Sequence, residues 1–146
     1  RLIDLGIKPP IIAPAINMAM AQRLVRRLCP NCKTKDNLSP DSLKRLKDAM
    51  EPLRKKFKLP VIDESLKVYF PGKCEECNNT GYKGRIGAYE AFVVSAAVEK
   101  LILKSPAISE IRELAVSEGM ISMLQDAYLK MLDGTTSTEE IERIIG

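Results

Sequence analysis

The sequence predicts an α+β fold, mainly α with small β elements, in which a subdomain built on four cysteines is joined to a small C-terminal helical bundle. Three observations predict it. Hydrophobic residues fill 45% of the 146 positions, yet aromatic residues only 5%, with no tryptophan and six methionines, which describes the aliphatic core that helices build. Capping residues and glycines divide the last third of the chain into short helical stretches. The four cysteines form two C-x-x-C pairs, in "LCPNCKTK" at 28–35 and "GKCEECNNTGYKGR" at 72–85. Three parts result: a leading segment 1–28, a cysteine subdomain 29–85 with a helical insertion, and a helical subdomain 86–146.

Taken in order, "RLIDLGIKPPIIAPAINMAMAQRLVRRL" reads as a short helix, a Gly-Ile-Lys-Pro-Pro break, and a second helix from about Ile11 or Pro14 to Leu28. Its end carries Arg23, Arg26 and Arg27 opposite Leu24, Val25 and Leu28, cations placed to complement a helix dipole. In "SPDSLKRLKDAMEPLRKKF", Ser39 caps a helix that starts on Pro40, and Leu43, Leu46, Met50, Leu53 and Phe57 form one apolar stripe, broken near Met50 by Pro52. "LKVYFPG" at 66–72 and "RIGAYEAFVV" at 85–94 read as strands. Beyond them, "SAAVEKLILK" is a helix, and "SPAISEIRELAVSEG" is another, capped by Ser105 and stopped by Gly119. Capping-box spacing recurs at Ser122/Gln125 and Ser137/Glu140. Ile108, Ile111, Ala115, Leu124, Tyr128, Leu132, Ile141 and Ile144 are expected to line the bundle.

Two residues between cysteines let both sulfurs of a pair turn toward one cation, and two such turns complete a tetrahedral shell. With no histidine in the chain, the ligands are Cys29, Cys32, Cys74 and Cys77. Disulfides across a loop of this size would stabilise by roughly 3–4 kcal/mol, against about 10–16 kcal/mol of apparent binding energy for structural zinc. Those magnitudes favour Zn2+ over disulfides in a reducing compartment; another thiolate-bound metal and free thiols are the remaining alternatives. A full thiolate shell leaves no open position, so the zinc is expected to be structural. Its net charge of minus two would be offset by Lys33, Lys35, Lys73, Lys83 and Arg85.

The net charge of +4, from 23 basic and 19 acidic residues, permits a nucleic-acid partner without demanding one. The longest uncharged run, Pro9 to Gln22, is too short to cross a bilayer, so no membrane insertion is expected. A start at Arg1 without a charged-then-apolar leader reads as a piece of a longer, non-secreted protein. There is no G-x-x-x-x-G-K-[ST] phosphate loop, no G-x-G-x-x-G and no G-x-S-x-G, and Asp4, Glu64, Glu90 and Asp126 are scattered carboxylates without acid-base spacing.

With "AQRLVRRLCPNCK" and "CEECNNTGYKGRIGAYE" in place, the chain resembles the C-terminal part of the bacterial secretion ATPases that drive type II secretion and type IV pilus assembly. The closing "DGTTSTEEIERI" and the opening "RLIDLGIKPPIIAPAIN" share the resemblance, whereas the connection at 40–57 is longer than usual and "INMAMA" is less typical. The resemblance implies a homohexameric motor, cytoplasmic and peripheral to the bacterial inner membrane, which binds ATP and Mg2+ in a core outside this sequence and drives an inner-membrane platform protein. It also implies that 1–28 ends that core, that this stretch alone does not hydrolyse ATP, and that Gln22 and Arg23 contact a neighbouring domain or subunit. The alternative is a free-standing zinc-ribbon module binding nucleic acid through basic knuckles, with Tyr69 and Tyr82 as its only nearby aromatic residues. A thiol-dependent chaperone-like module has only the C-x-x-C spacing in its favour.

Overall fold

The structure is a computed structural model and describes residues 5–54 and 57–146. Helices and strands are mixed, and the chain divides into two compact units. One combines the residues up to Ala21 with Glu90–Ser122, and the other combines Gln22–Tyr89 with Met123–Gly146.

In the first unit, α1 spans Pro9–Ala15, with prolines at its start where no amide partner is required. It packs on α3, Ala96–Ile102, whose cap Ser95 accepts from the Val98 amide, and α3 packs on α4, Ile108–Ser117. Among its described residues, Ile12, Ala13, Val98 and Ala115 are the buried apolar ones. Ser105 does not cap α4, contrary to expectation. It lies at φ +53 and its amide bonds to the Ile102 carbonyl, so it ends α3, because Pro106 bars a right-handed helical conformation at the residue before it. Helix α4 starts three residues later at Ile108, just after Ala107, whose amide donates to the Glu110 side chain at 2.8 Å. Ile108, expected in the core, is consequently in the first turn and 87% exposed. The short helix expected at the very start of the chain falls largely outside the described residues; Leu5 and Gly6 form a turn.

The second expected helix of the leading segment is corrected more deeply. Beyond α1 the backbone turns extended at Ile16, and Met18–Leu28 is a strand, β1. It pairs with β4, Tyr82–Val93. Bonds from Val94 N to Asn17 O and from Cys29 N to Gly81 O at the two ends of the ribbon show that it is antiparallel. Alanine, arginine and leucine suit a helix, but tertiary partners override that preference here. In a helix the Arg26 amide would bond back to Gln22; instead it donates to the Glu140 side chain.

The second unit holds the rest. Strand β2, Thr34–Asn37, pairs antiparallel with β3, Lys67–Phe70, in the register Thr34↔Phe70 and Asn37↔Lys67. Between them runs α2, Pro40–Met50, capped by Ser39, whose hydroxyl accepts from the Ser42 amide, and followed by a single tight turn at Glu51–Leu53 where Pro52 breaks the helix. Leu43, Leu46, Met50 and Leu53 are buried as the stripe requires, but Phe57 is 39% exposed. Helix α5, Met123–Leu132, packs on α2 and on β3, and α6, Thr138–Ile144, packs on α5. Of the expected bundle residues, Tyr128 and Ile141 are buried here together with Met131. The helices read as one C-terminal bundle are thus shared out: α3 and α4 join α1, and α5 and α6 join α2.

Candidate metal centre

Residues 33–73 separate the cysteine pairs in sequence, and two ladders close the distance. Strand β1 delivers the first pair: the Cys29 amide donates to Gly81 O at 2.9 Å, and Lys33 N to Cys29 O at 3.2 Å closes the turn. Strand β2 leaves that turn, and β3 returns the chain antiparallel to the second pair. There, Cys74 is extended and a tight turn at Glu75–Cys77 brings the second thiol round, with Asn79 N bonding Cys74 O at 2.9 Å. Asn78 and Asn79 take positive φ, which asparagine tolerates. Glycine is required at Gly72, where a β-carbon would stand 1.8 Å from the Cys32 carbonyl oxygen.

The four Sγ atoms all lie within 4.8 Å of one another. Cys29 to Cys74 is 3.7 Å, Cys32 to Cys77 is 3.8 Å and Cys74 to Cys77 is 3.6 Å. A zinc–sulfur bond near 2.3 Å gives a regular tetrahedron with edges of about 3.8 Å, which these three separations match. Cys29 and Cys77 are buried, and Cys32 and Cys74 half-buried. Desolvation and hydrogen bonds with its thiol neighbours push Cys32 up to about 12. Desolvation also acts on Cys77, but backbone hydrogen bonds at Cys74 and Gly81 outweigh it and bring that thiol down to about 6. The Gly81 amide donates to Cys77 Sγ at 3.2 Å.

Lys33 and Lys83 take hydrogen-bonding partners other than sulfur. Lys33 donates to Gly134 O at 2.8 Å and lies 4.2 Å from the centre of the Tyr69 ring, with Lys35 at 5.0 Å from the same centre. Lys83 pairs with Glu76 at 3.4 Å. Lys33 thereby ties the first cysteine turn to the α5–α6 connection, and its charge is met by an aromatic face and a carbonyl. Gln22 and Arg23 stand exposed in β1, six strand residues or about 20 Å before Cys29, with Arg23 Nη1 donating to Gln22 O at 3.2 Å. They are not brought to the cysteine cluster.

A second polar centre escaped the sequence reading. Glu140, fully buried, accepts from Arg26 and from Arg143, the latter through Nε at 2.9 Å and Nη2 at 2.6 Å. Arg26 also lies 4.0 Å from the centre of the Tyr82 ring, and the Tyr82 and Ser137 hydroxyls are 2.7 Å apart. Thr136 Oγ1 donates to Arg26 O at 2.9 Å, and Leu28 N to Thr135 O at 2.8 Å. The segment 135–140 therefore covers the edge of β1 that faces away from β4. Only the Glu140–Arg143 spacing of three residues hinted at this centre.

Over residues 1–143 the sequence matches the family of type II/IV secretion system proteins. The chain belongs to that family. Among curated secretion-family relatives, the type IV pilus assembly ATPase PilB of Myxococcus xanthus is 32% identical over 142 residues, 97% of this chain. PilB of Thermus thermophilus is 33% identical over 97% of this chain, and the type II secretion system ATPase E of Vibrio cholerae is 34% identical over 99%. The alignments take in 23%, 15% and 26% of those three relatives, so this secretion-family chain spans about a quarter of their length or less. The tetracysteine cluster and the Arg26–Glu140–Arg143 centre both lie in the matched region.

Proposed function

We propose that this chain is the zinc-containing, non-catalytic C-terminal region of a hexameric ATPase that powers protein secretion or type IV pilus assembly. On this reading residues 1–28 end the nucleotide-binding core, 29–85 carry the zinc site and 86–146 supply the helical part, whose helices are divided between the two compact units. ATP and Mg2+ are bound elsewhere in the parent protein, which works in the cytoplasm against an inner-membrane platform protein. The observation that carries the reading is the gathering of four sulfurs within 4.8 Å of one another inside a chain that matches the secretion family almost end to end.

Cys29, Cys32, Cys74 and Cys77 would hold the ion. Zinc in such a shell supplies folding energy and no reactive water. The residues around it act mechanically: β1, Gly81 and the Lys33–Gly134 contact fasten the cysteine turns to α5 and α6. A free-standing nucleic-acid ribbon would instead bind with an affinity that falls steeply with salt.

Mass spectrometry of protein purified without chelator tests the metal: one zinc per chain is expected, and none, with four alkylatable thiols in the folded state, would overturn it. In the parent protein, Cys29→Ser combined with Cys74→Ser is expected to abolish assembly of pili or secretion. A variant that loses its zinc yet keeps both assembly and ATPase rate would remove the mechanical role. Arg23→Ala tests the proposed contact of Gln22 and Arg23 with a neighbouring domain or subunit, where unchanged assembly and ATPase rate would exclude it.

A further inference from the structure

Arg26 and Arg27 are neighbours in β1, and a strand sends neighbouring side chains to opposite faces. Glu140 engages Arg26, whereas Arg27 has no hydrogen bond or ion pair among the described residues. Arg27 borders a depression of about 380 Å³ together with Lys33, Lys83, Asp133, Gly134 and Thr135. Three cations and one carboxylate therefore line it. Lys33, half-buried, donates to Gly134 O beside the Tyr69 ring, and no carboxylate among the described residues pairs with it. Lys83 meets Glu76 at 3.4 Å, but both groups are 59% exposed, so the pair holds it weakly. Asp133 Oδ1 accepts from the Thr135 amide at 2.8 Å, which ties that acid into its own turn. The Thr135 hydroxyl has no partner among the described residues.

A carboxylate has two coplanar oxygens, which one guanidinium fork fills. A phosphate group carries further oxygens in a tetrahedral arrangement, so it can accept from Arg27, from an ammonium group and from the Thr135 hydroxyl at once. The volume lies in the range of small-ligand sites, which leaves room for the group that carries the phosphate. We propose that this depression binds a phosphate-bearing small molecule. The four-thiolate shell would place two negative charges near Lys33, so binding relies on direct hydrogen bonds and not on long-range attraction. A lipid headgroup offers the same phosphate, but none of the exposed large apolar side chains among the described residues borders the depression, as contact with acyl chains would require. No helix among the described residues is long and apolar enough to cross a membrane.

Titration of the isotope-labelled protein with inorganic phosphate at fixed ionic strength, followed by NMR, tests this. The Arg27 Nε–H and Thr135 amide resonances are expected to shift saturably, and acetate should bind about tenfold more weakly. Arg27→Gln and Lys83→Gln should each weaken phosphate binding by about tenfold, the strength of one hydrogen bond to a charged group. Zinc content should stay the same in both variants. The absence of a saturable shift, or a shift that chloride reproduces at the same ionic strength, overturns the proposal. So does equal weakening by Lys44→Gln with Lys47→Gln, two lysines that border a different depression, since the attraction would then be diffuse. Equal affinity for acetate would make this a carboxylate site and overturn it. Vesicles of phosphatidylglycerol that move these resonances where free phosphate does not would transfer the site to a membrane and likewise overturn it.

Discussion

The Glu140 carboxylate, closed off from solvent, grips Arg26 at three points: it accepts from the Arg26 amide at 2.9 Å and from Nε at 2.8 Å, and lies 2.7 Å from Nη2. Arg143 approaches the same carboxylate from its own helix. The two arginines are 39% and 53% exposed, so removing the carboxylate strands no buried charge but leaves its hydrogen bonds unmade, at a cost of about 1–3 kcal/mol. Glu140→Ala is therefore expected to lower stability by about that amount in chemical denaturation, since it leaves two guanidinium groups and a strand amide without their acceptor. A loss below about 1 kcal/mol would mean that water replaces the carboxylate.

Acid acts on the same group. Burial by itself would push the Glu140 carboxyl up; hydrogen bonds from Arg143 and Arg26 reverse that and hold it at about 2, against an ordinary value of 4.5. Because the folded value is the lower one, the contribution is whole above about pH 4.5 and is lost as pH falls toward 2. At about 1.4 kcal/mol for each pH unit, roughly 3 kcal/mol is at stake. Denaturation of the protein and of Glu140→Gln across that window should give a smaller pH slope for the variant. Any loss of metal in acid is common to both proteins and drops out of the difference.

Metal removal should be read in the structure. Four thiols must lose their protons to bind the ion, so zinc affinity falls as pH falls. A strong chelator at neutral pH is expected to lower the melting temperature and to open the Cys29 and Gly81 amides to hydrogen exchange, because those amides knit the two cysteine turns together. Full protection of both amides in the stripped protein would show that the strands hold the turns without the ion.

Gly72→Ala offers a steric test of the same centre. The added methyl group would overlap the Cys32 carbonyl oxygen at 1.8 Å, a backbone atom that cannot swing aside. A loss of several kcal/mol together with weakened zinc binding is expected. Gly84→Ala is the control. Its position has φ +79 but open space, so only the backbone term of about 1–2 kcal/mol applies, with zinc content unchanged.

What could be read from sequence was what local chemistry decides. Ser39, Pro40 and Asp41 announce α2 within one turn of its start, and the C-x-x-C spacing names the four sulfurs that the fold gathers. Strand β1 could not be read this way. Its arginines, alanines and leucines favour a helix, and the groups that make it a strand are the β4 backbone and the Glu140 carboxylate, 114 residues from Arg26. Glu140 itself was disguised, because it occupies the capping-box position after Ser137. The Ser137 hydroxyl does accept from the Glu140 amide at 3.4 Å, but the Glu140 side chain turns to the arginines. Phe57 misled in the opposite sense: it keeps the apolar spacing of α2, yet the helix ends at Met50 and the buried stripe runs no further than Leu53 in the turn that follows.

The cover over the outer edge of β1 has a consequence for how the protein is made. Arg26 and Leu28 leave the ribosome long before Thr135, Thr136 and Glu140, so throughout that interval the nascent strand offers unpaired backbone groups to any neighbouring polypeptide. Synthesis of α6 ends the exposure. Premature termination anywhere between α5 and Glu140 should therefore yield a sticky product, in which the strand meant for its own last helix is free to recruit another chain.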